Sequence, residues 1–130
     1  MTLRAEPVGN APPGASWSEA LKLGDELIVS GLHARHSDGS VPEGVEAQMR
    51  ALLNKLDALL DACGGSADNI VKLTIYLTDI ADKDAVNRVR TERFGPVYPC
   101  STLMAVSAFA FPQIEVEIDA VARLDVRLND

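Results

Sequence analysis

Apolar residues recur along the chain with two different periods, which distinguish helices from strands. Between residues 43 and 63 they are spaced three or four apart, as on one face of an amphipathic α-helix: Val45, Met49, Leu52, Leu56, Leu59, Leu60 and Cys63. Gly64-Gly65 ends this helix, because glycine readily adopts the left-handed conformation that follows many helices. A second helix is predicted from about Asp79 to Phe94, with acidic residues at its start and Gly95-Pro96 after its end.

Four other segments show the period of two that is typical of β-strands. Residues 17–32 alternate around a Gly24-Asp25 turn and predict a hairpin of two strands. Residues 69–78 predict a strand with one buried face, and residues 101–108 and 114–126 predict two more, the last of them unusually long. Residues 33–42 are rich in Ser, Asp, Gly and Pro and are predicted to form a loop.

The order hairpin, helix, strand, helix, strand, strand predicts an α+β fold in which two helices cover one face of a mixed sheet. The 130 residues fit a single domain, and no repeat or linker divides them. Residues 1–16, rich in Pro, Gly and Ala, are predicted to form an irregular arm. Because two helices leave the opposite face of the sheet uncovered, self-association is expected.

Composition and charge narrow the classes of partner. The 47% of hydrophobic residues indicates a globular chain, but no apolar run approaches the roughly 20 residues that span a bilayer. Residues 1–15 lack the apolar core of a signal peptide, so a cytoplasmic protein is expected. The net charge of −7, with no basic cluster, disfavours nucleic-acid binding. Cys63 and Cys100 lie far apart without CxxC spacing and are expected to be free thiols.

The sequence contains none of the strong motifs for a cofactor, a nucleotide or a catalytic metal, such as GxGxxG after a strand, a Walker loop, HExxH or GxSxG. Neither a cofactor nor a metal is therefore expected. His33 and His36, the two histidines, lie in the polar loop and are interpreted as solvated residues. A nucleophilic triad can be drawn from Ser30 and His33, but no spacing supports it.

Glu115 and Glu117 are the most informative polar residues of the last predicted strand. They lie two apart, so they share a strand face opposite Ile114, Val116 and Ile118. If an oligomer covered both faces, burial would raise the pKa of a glutamate there and suit it to general acid/base catalysis near neutral pH. Strand periodicity by itself favours the alternative, an exposed face with solvated glutamates.

Five segments, taken together in their order and spacing, are typical of one protein family. They are NAPPGASWSEALKLGDELIVSG (10–31), DACGGSADNIVKLTIYLTD (61–79), AVNRVRTERFG (85–95), YPCSTLMAV (98–106) and IEVEIDAVA (114–122). Through them the chain resembles the Rid (YjgF/YER057c/UK114) family. The resemblance implies a chorismate-mutase-like fold, and a homotrimer whose sheets form a central barrel with a ligand cleft at each subunit interface.

The resemblance also implies a reaction and some of its residues. The best-known members of the Rid family hydrolyse reactive enamines and imines, such as 2-aminoacrylate, to a 2-keto acid and ammonia without metal or cofactor. By position, Glu115 matches the glutamate that orients or activates the attacking water and handles the proton. Gly31, which follows Ser30, matches a Ser-Gly pair whose backbone lines the cleft, and Trp17 takes the place of a cleft tyrosine.

Three further positions concern the binding of substrate. Asn87 matches a family asparagine that contacts the ligand or positions its helix, and the backbone of Thr102 is expected near the substrate. Cys100 departs from the pattern, because typical members have an arginine there that pairs with the substrate carboxylate. Losing such a pair costs about 2–5 kcal/mol of binding, so a small 2-imino acid is a disfavoured substrate. Trp17 in place of tyrosine favours a bulkier or less anionic ligand.

Three functions remain open from the sequence. The first is a cofactor-independent, Rid-like hydrolase of the deaminase type, which acts on an enamine, imine or related C=N metabolite with water placed by Glu115 and polarisation by backbone amides. The second is a trimer that binds a small metabolite without turnover. The third is a different hydrolase in which Cys100 is a thiolate nucleophile, whereas the simpler interpretation makes Cys100 a small buried residue that fills space.

Overall fold

The computed structural model describes residues 2–130; Met1, the first residue of the predicted arm, lies outside them. Within these residues it has six β-strands and two α-helices. They are β1 (Glu6–Val8), β2 (Ala20–Leu23), β3 (Glu26–Leu32), α1 (Val45–Ala62), β4 (Ile70–Leu77), α2 (Lys83–Arg93), β5 (Cys100–Ala105) and β6 (Val116–Arg123). Short 3-10 turns at Ala67–Asn69 and Ile80–Asp82 precede β4 and α2.

The six strands form one mixed sheet in the order β1-β2-β3-β6-β4-β5. Strands β4 and β5 are parallel and are connected through α2, and the other neighbours are antiparallel. The predicted hairpin is confirmed, because Leu23 pairs with Glu26 across the turn at Gly24 and Asp25. The long C-terminal strand therefore lies in the middle of the sheet, between β3 and β4.

The two helices pack against one face of this sheet and enclose the core. The apolar face predicted for α1 is buried and faces alternate residues of the strands, including Leu27, Val29, Leu73, Ile75, Ile118 and Ala120. Val86 and Val89 of α2 complete the same cluster. This arrangement confirms the α+β prediction. Neither helix of the described chain has the length and apolar character needed to span a bilayer.

Several boundaries differ from those predicted. Glu6–Val8, inside the segment expected to be irregular, form an edge strand that pairs with β2, because Val8 packs against the core while Glu6 remains exposed. The last strand is eight residues long, no longer than β4, because it begins at Val116 and ends at Arg123 instead of spanning residues 114–126. Strand β5 likewise ends at Ala105, three residues earlier than predicted.

The face of the sheet away from the helices is here called the open face. Strand alternation and register assign to it Ile28 of β3, Glu117, Asp119 and Val121 of β6, Lys72, Thr74 and Tyr76 of β4, and Cys100, Thr102 and Met104 of β5. All of these side chains are partly or fully exposed. The face thus combines apolar residues, two carboxylates and hydroxyl groups.

Gln48 joins α1 to the segment before β6. It is 1% exposed, and its Nε2 donates to the carbonyl oxygens of Pro42 and Gln113 at 3.1 and 3.0 Å and to Glu115 Oε2 at 3.2 Å. Its Oε1 accepts from the backbone N–H of Glu115 at 2.8 Å. A single buried amide therefore contacts four polar groups, which belong to the segment before α1 and the segment before β6.

Replacement of this amide should destabilise the fold. Gln48→Ala leaves buried backbone groups without partners, which costs about 1–3 kcal/mol. We expect a corresponding decrease in the free energy of unfolding, measured by urea denaturation. Gln113→Ala, at an exposed glutamine in the same region, is the matched control and should change the free energy by less than about 0.5 kcal/mol. Equal stability of the two variants would contradict this role for Gln48.

Candidate functional site

Strand β6 places two carboxylates side by side on the open face. Val116, Ile118 and Ala120 are buried, so the intervening Glu117 and Asp119 point away from the helices. The antiparallel register sets Glu117 opposite Tyr76 and Asp119 opposite Thr74. The open face therefore carries a carboxylate pair bordered by hydroxyl groups.

Asp119 is held by two hydrogen bonds from neighbouring strands. The Tyr76 hydroxyl donates to Oδ2 at 2.6 Å, and the backbone N–H of Gly31 donates to Oδ1 at 2.8 Å. The hydrogen bond to Asp119 is the main cause that raises the pKa of Tyr76, so the phenol remains a donor at neutral pH. Both oxygens of Asp119 are thus used in organising the site.

Gly31 brings its backbone against both carboxylates. The pairing of β3 with β6 shifts between Val29 and Leu32, and Gly31 in this bulge has a φ of 62°. A Cβ at this position would lie 3.4 Å from Glu117 Oε1, and the left-handed φ would be strained for any other residue. Glycine here turns the N–H toward Asp119 and leaves room for Glu117.

Glu117 is the side chain with the most unusual protonation. Partial burial, which removes water from the carboxylate, raises its pKa from 4.5 to about 7, with a smaller contribution from the negative charge of Asp119. A carboxyl group with this pKa exchanges a proton readily at neutral pH. The site can therefore supply a general acid or a general base without a histidine.

Glu115, the glutamate favoured from the sequence, occupies a different environment. It precedes β6, and its carboxylate accepts a hydrogen bond from Gln48 of α1, on the helix-covered side of the sheet. The prediction that Glu115 and Glu117 share one strand face is wrong, because β6 begins at Val116 and the Glu115 carboxylate contacts Gln48 of α1, whereas Glu117 lies on the open face. The acid/base role of Glu115 remains a prediction, whereas the geometry favours Glu117.

Three other predicted site residues lie on exposed strand positions. Ser30 precedes Gly31 in β3, and Thr102 lies across from Thr74, in the same row as Asp119. Cys100 is exposed at the start of β5 opposite Lys72, so within the single chain it does not fill space in the core. Lys72 is a basic neighbour that comes from a strand distant in sequence. Both cysteines are free thiols, as predicted.

Trp17 and Asn87 are not part of the carboxylate cluster. Trp17 lies before β2 and is 58% exposed. Asn87 lies on α2, on the other side of the sheet, where a cavity of about 270 Å³ opens between α2 and β5. Arg90 lines this cavity. Its guanidinium donates from Nη2 to Asn87 Oδ1 at 2.9 Å and from Nη1 to Ser101 Oγ at 2.8 Å.

Sequence reasoning missed Tyr76, Asp119, Arg90 and Ser101. A signal for Arg90 was its spacing of three from Asn87, which places both on one side of α2. The contact between Arg90 and Ser101 joins a helix to a strand, and the contact between Tyr76 and Asp119 joins two strands. Only the fold brings these elements together. They could not be found from periodicity alone.

The two histidines of the loop at residues 33–42 differ in their exposure. His33 packs edge-on against Phe111 at 5.6 Å, and burial is the main cause that lowers the pKa of its imidazole. His33 is therefore half-buried rather than fully solvated as predicted. Residues 2–130 contain no group of three or more His, Cys, Asp or Glu side chains arranged to hold a metal ion.

Comparison with known proteins gives a consistent relationship over almost the whole chain. The sequence model of the Endoribonuclease L-PSP family matches residues 8–124. RutC family protein y4sK of Sinorhizobium fredii is 36% identical over 125 residues, covering 92% of this chain and 98% of that protein. A protein of Escherichia coli provisionally named reactive intermediate deaminase TdcF is 28% identical over 116 residues, covering 85% of this chain and 89% of that protein.

Solved structures show the same fold. A protein of unknown function from Pseudomonas aeruginosa superimposes with a TM-score of 0.91 at 40% identity, and the match covers 99% of each chain. Together with the family match over residues 8–124, this likeness confirms the resemblance found in the sequence. The chain belongs to the Endoribonuclease L-PSP family, which is also called the Rid (YjgF/YER057c/UK114) family.

Proposed function

We propose that this protein is a Rid-type hydrolase that deaminates an enamine, imine or related C=N metabolite, with Glu117 as its acid/base residue. Family membership supports a reactive intermediate deaminase function in general. The observation that carries the proposal is the Glu117 carboxyl group, whose pKa is raised to about 7 beside the fixed charge of Asp119. Such a group can take and return a proton in one catalytic cycle.

The chemistry needs one water and a proton carrier. Unprotonated Glu117 accepts a proton from water while the water oxygen bonds to the carbon of the C=N group, and the proton is then delivered to the nitrogen. The resulting carbinolamine transfers its hydroxyl proton to the nitrogen and breaks the C–N bond, which gives a carbonyl compound and ammonia. An enamine first takes a proton on carbon and loses one from nitrogen to become the imine. Atoms and charge balance with water as the only co-reactant.

The neighbours of Glu117 have positioning roles in this scheme. Asp119, held by Tyr76 and the Gly31 N–H, keeps a negative charge next to Glu117 and so helps to maintain its raised pKa. Gly31 leaves space beside Glu117 Oε1 in which a small ligand can approach. Ser30, Thr102, Trp17 and Cys100 remain predicted ligand-binding residues.

We also propose that the protein assembles as a homotrimer through the open face, with the sheets around a central barrel and the ligand clefts between subunits. Ile28, Val121 and Met104 supply apolar surface on this face, and Met104 is 40% exposed. A soluble chain gains by burying such surface against another copy. Assembly would also exclude water from the carboxylate pair.

The name of the Endoribonuclease L-PSP family raises ribonuclease activity as another possibility. For this chain, charge argues against it, because the net charge is −7 and the candidate site presents Glu117 and Asp119. An RNA backbone would meet repulsion rather than a basic surface. A small uncharged or singly charged metabolite suits the site better.

Loss of the Glu117 carboxyl group should abolish turnover. Glu117→Gln keeps the shape but cannot carry the proton, so we expect kcat/KM to fall by about 10²–10⁴-fold. Ammonia release is measured on a panel of imines of different size and charge, generated in situ. Glu115→Gln is the matched control and should retain most of the activity.

The two variants also separate the alternatives. Loss of activity in Glu115→Gln with full activity in Glu117→Gln would restore the assignment made from the sequence. Loss only in Cys100→Ser would favour a thiolate nucleophile. A wild-type protein that releases no ammonia above background from any imine of the panel would contradict the proposed function.

The pH dependence of turnover should report the charge of Asp119. Because the unprotonated form of Glu117 is the base, kcat/KM should fall as the pH decreases through the pKa of this carboxyl group, which is about 7 in the single chain. Asp119→Asn removes the smaller cause of the raised pKa, so the midpoint of the profile should move to lower pH. Asp61→Asn, at an exposed position of α1, should leave the midpoint in place. A midpoint unaffected by Asp119→Asn would refute this coupling.

A charge on the open face should disrupt the proposed trimer. Val121→Lys places an ammonium group between Ile28 and the like-charged Lys72, and burying it unpaired would cost several kcal/mol. We expect sedimentation equilibrium to show a trimer for the wild type and smaller species for this variant. Ala58→Lys, on the exposed side of α1, should remain trimeric. A monomeric wild type would rule out the assembly.

A further inference from the structure

The cavity between α2 and β5 is lined by an arginine with unusual partners. Arg50 and Arg88 pair with carboxylates on the helix surface, and Arg93 pairs with Asp57. Arg90 belongs to the same surface but contacts only the neutral oxygens of Asn87 and Ser101. In a chain with 19 acidic residues, no ion pair with a carboxylate is found for Arg90 within residues 2–130.

The hydrogen bonds of Arg90 leave an excess of donors. A guanidinium has five N–H groups, and the two bonds to Asn87 and Ser101 use two of them. Ser101 accepts from Arg90 and retains its own hydroxyl proton as a donor. Asn87 accepts through Oδ1 and retains the two N–H groups of its amide. The cluster therefore offers donors around one positive charge, which is the requirement for binding an oxyanion.

The surroundings of the cluster suit a small organic anion. The cavity of about 270 Å³ is near the lower end of the roughly 300–1,000 Å³ range of ligand pockets. Tyr98, Pro99 and Leu73 provide apolar wall, and no Asp or Glu lines the cavity. A planar guanidinium fork matches the two oxygens of a carboxylate, and the apolar wall can hold the body of the molecule.

We infer that the cavity between α2 and β5 binds an organic monocarboxylate, with Arg90 as its charged contact and Asn87 and Ser101 as polar contacts. Arg90 reaches Ser101 at the start of β5. The neighbouring Cys100 stands where typical family members have an arginine. The strand thus regains a positive charge from the helix. Insofar as the bound acid is a substrate, this inference rests on the proposed function; binding itself does not.

A purely structural role for Arg90 is the alternative. Its hydrogen bond to Ser101 ties α2 to β5, so loss of Arg90 would then reduce stability without any effect on a ligand. Affinity for carboxylates distinguishes the two roles, because a merely structural residue would not discriminate between a carboxylate and its uncharged amide.

The experiment titrates the full-length protein with acetate, butyrate and benzoate and with the corresponding amides, followed by NMR of the backbone amides. We expect saturable shifts at Asn87, Tyr98 and Ser101 with the acids and none with the amides. Arg90→Gln should weaken acid binding about tenfold or more, because a charge-assisted bond is lost. Arg90→Lys keeps the charge without the fork and should be intermediate. Arg88→Gln removes an equal charge two residues earlier on α2, where Arg88 pairs with Glu46. Its affinity for the acids should remain within about twofold of the wild type.

Several outcomes would overturn the inference. They are absence of saturable binding of every acid to the wild type, equal affinity for acids and amides, or equal affinity of Arg90→Gln and wild type in samples with matching thermal unfolding. Inorganic phosphate is the competitor, and binding of phosphate in preference to the acids would also refute a carboxylate site. Glu117→Gln should retain acid binding, so failure of the proposed reaction and failure of this site give different results.

Discussion

Strand β6 has to satisfy two opposite requirements, and the remainder of the site depends on how it does so. Its buried residues, Val116, Ile118 and Ala120, anchor the middle of the sheet to the helices. Its alternate residues, Glu117 and Asp119, hold two carboxyl groups next to each other on the open face. Burial of one side therefore fixes the other side in place, and Glu117 can be partly desolvated without leaving the sheet.

The fold was predictable because its strongest signals are local. The apolar spacing in residues 43–63 and the alternation in 69–78 each identify an element whose burial follows from its own sequence. Strand order was not predictable in this way, since β6 enters between β3 and β4 through pairing of distant segments. The edge strand Glu6–Val8 is too short to show a period, and its existence depends on pairing with β2.

The site shows where sequence reasoning fails for a physical reason. Glu115 and Glu117 look equivalent in a strand with period two, but Gln48 of α1 binds both the backbone and the carboxylate of Glu115, whereas within residues 2–130 Glu117 contacts neither helix by a hydrogen bond. Similarly, the thiol of Cys100 suggested a site without positive charge. Arg90 approaches the next residue from a helix, and no comparison of β5 positions alone could reveal it.

The two polar features lie on opposite sides of one sheet, so a single chain cannot bring them to the same ligand. Arg90 and Asn87 lie with the helices, whereas Glu117 and Asp119 lie on the open face. Contact between the edge strand β5 of one copy and the open face of another is the geometry that would join them. Any partner that covers the open face removes further water from Glu117 and raises its pKa above the value in the separate chain. Assembly and proton transfer are then coupled, because the charge of Glu117 opposes burial and its protonation favours it.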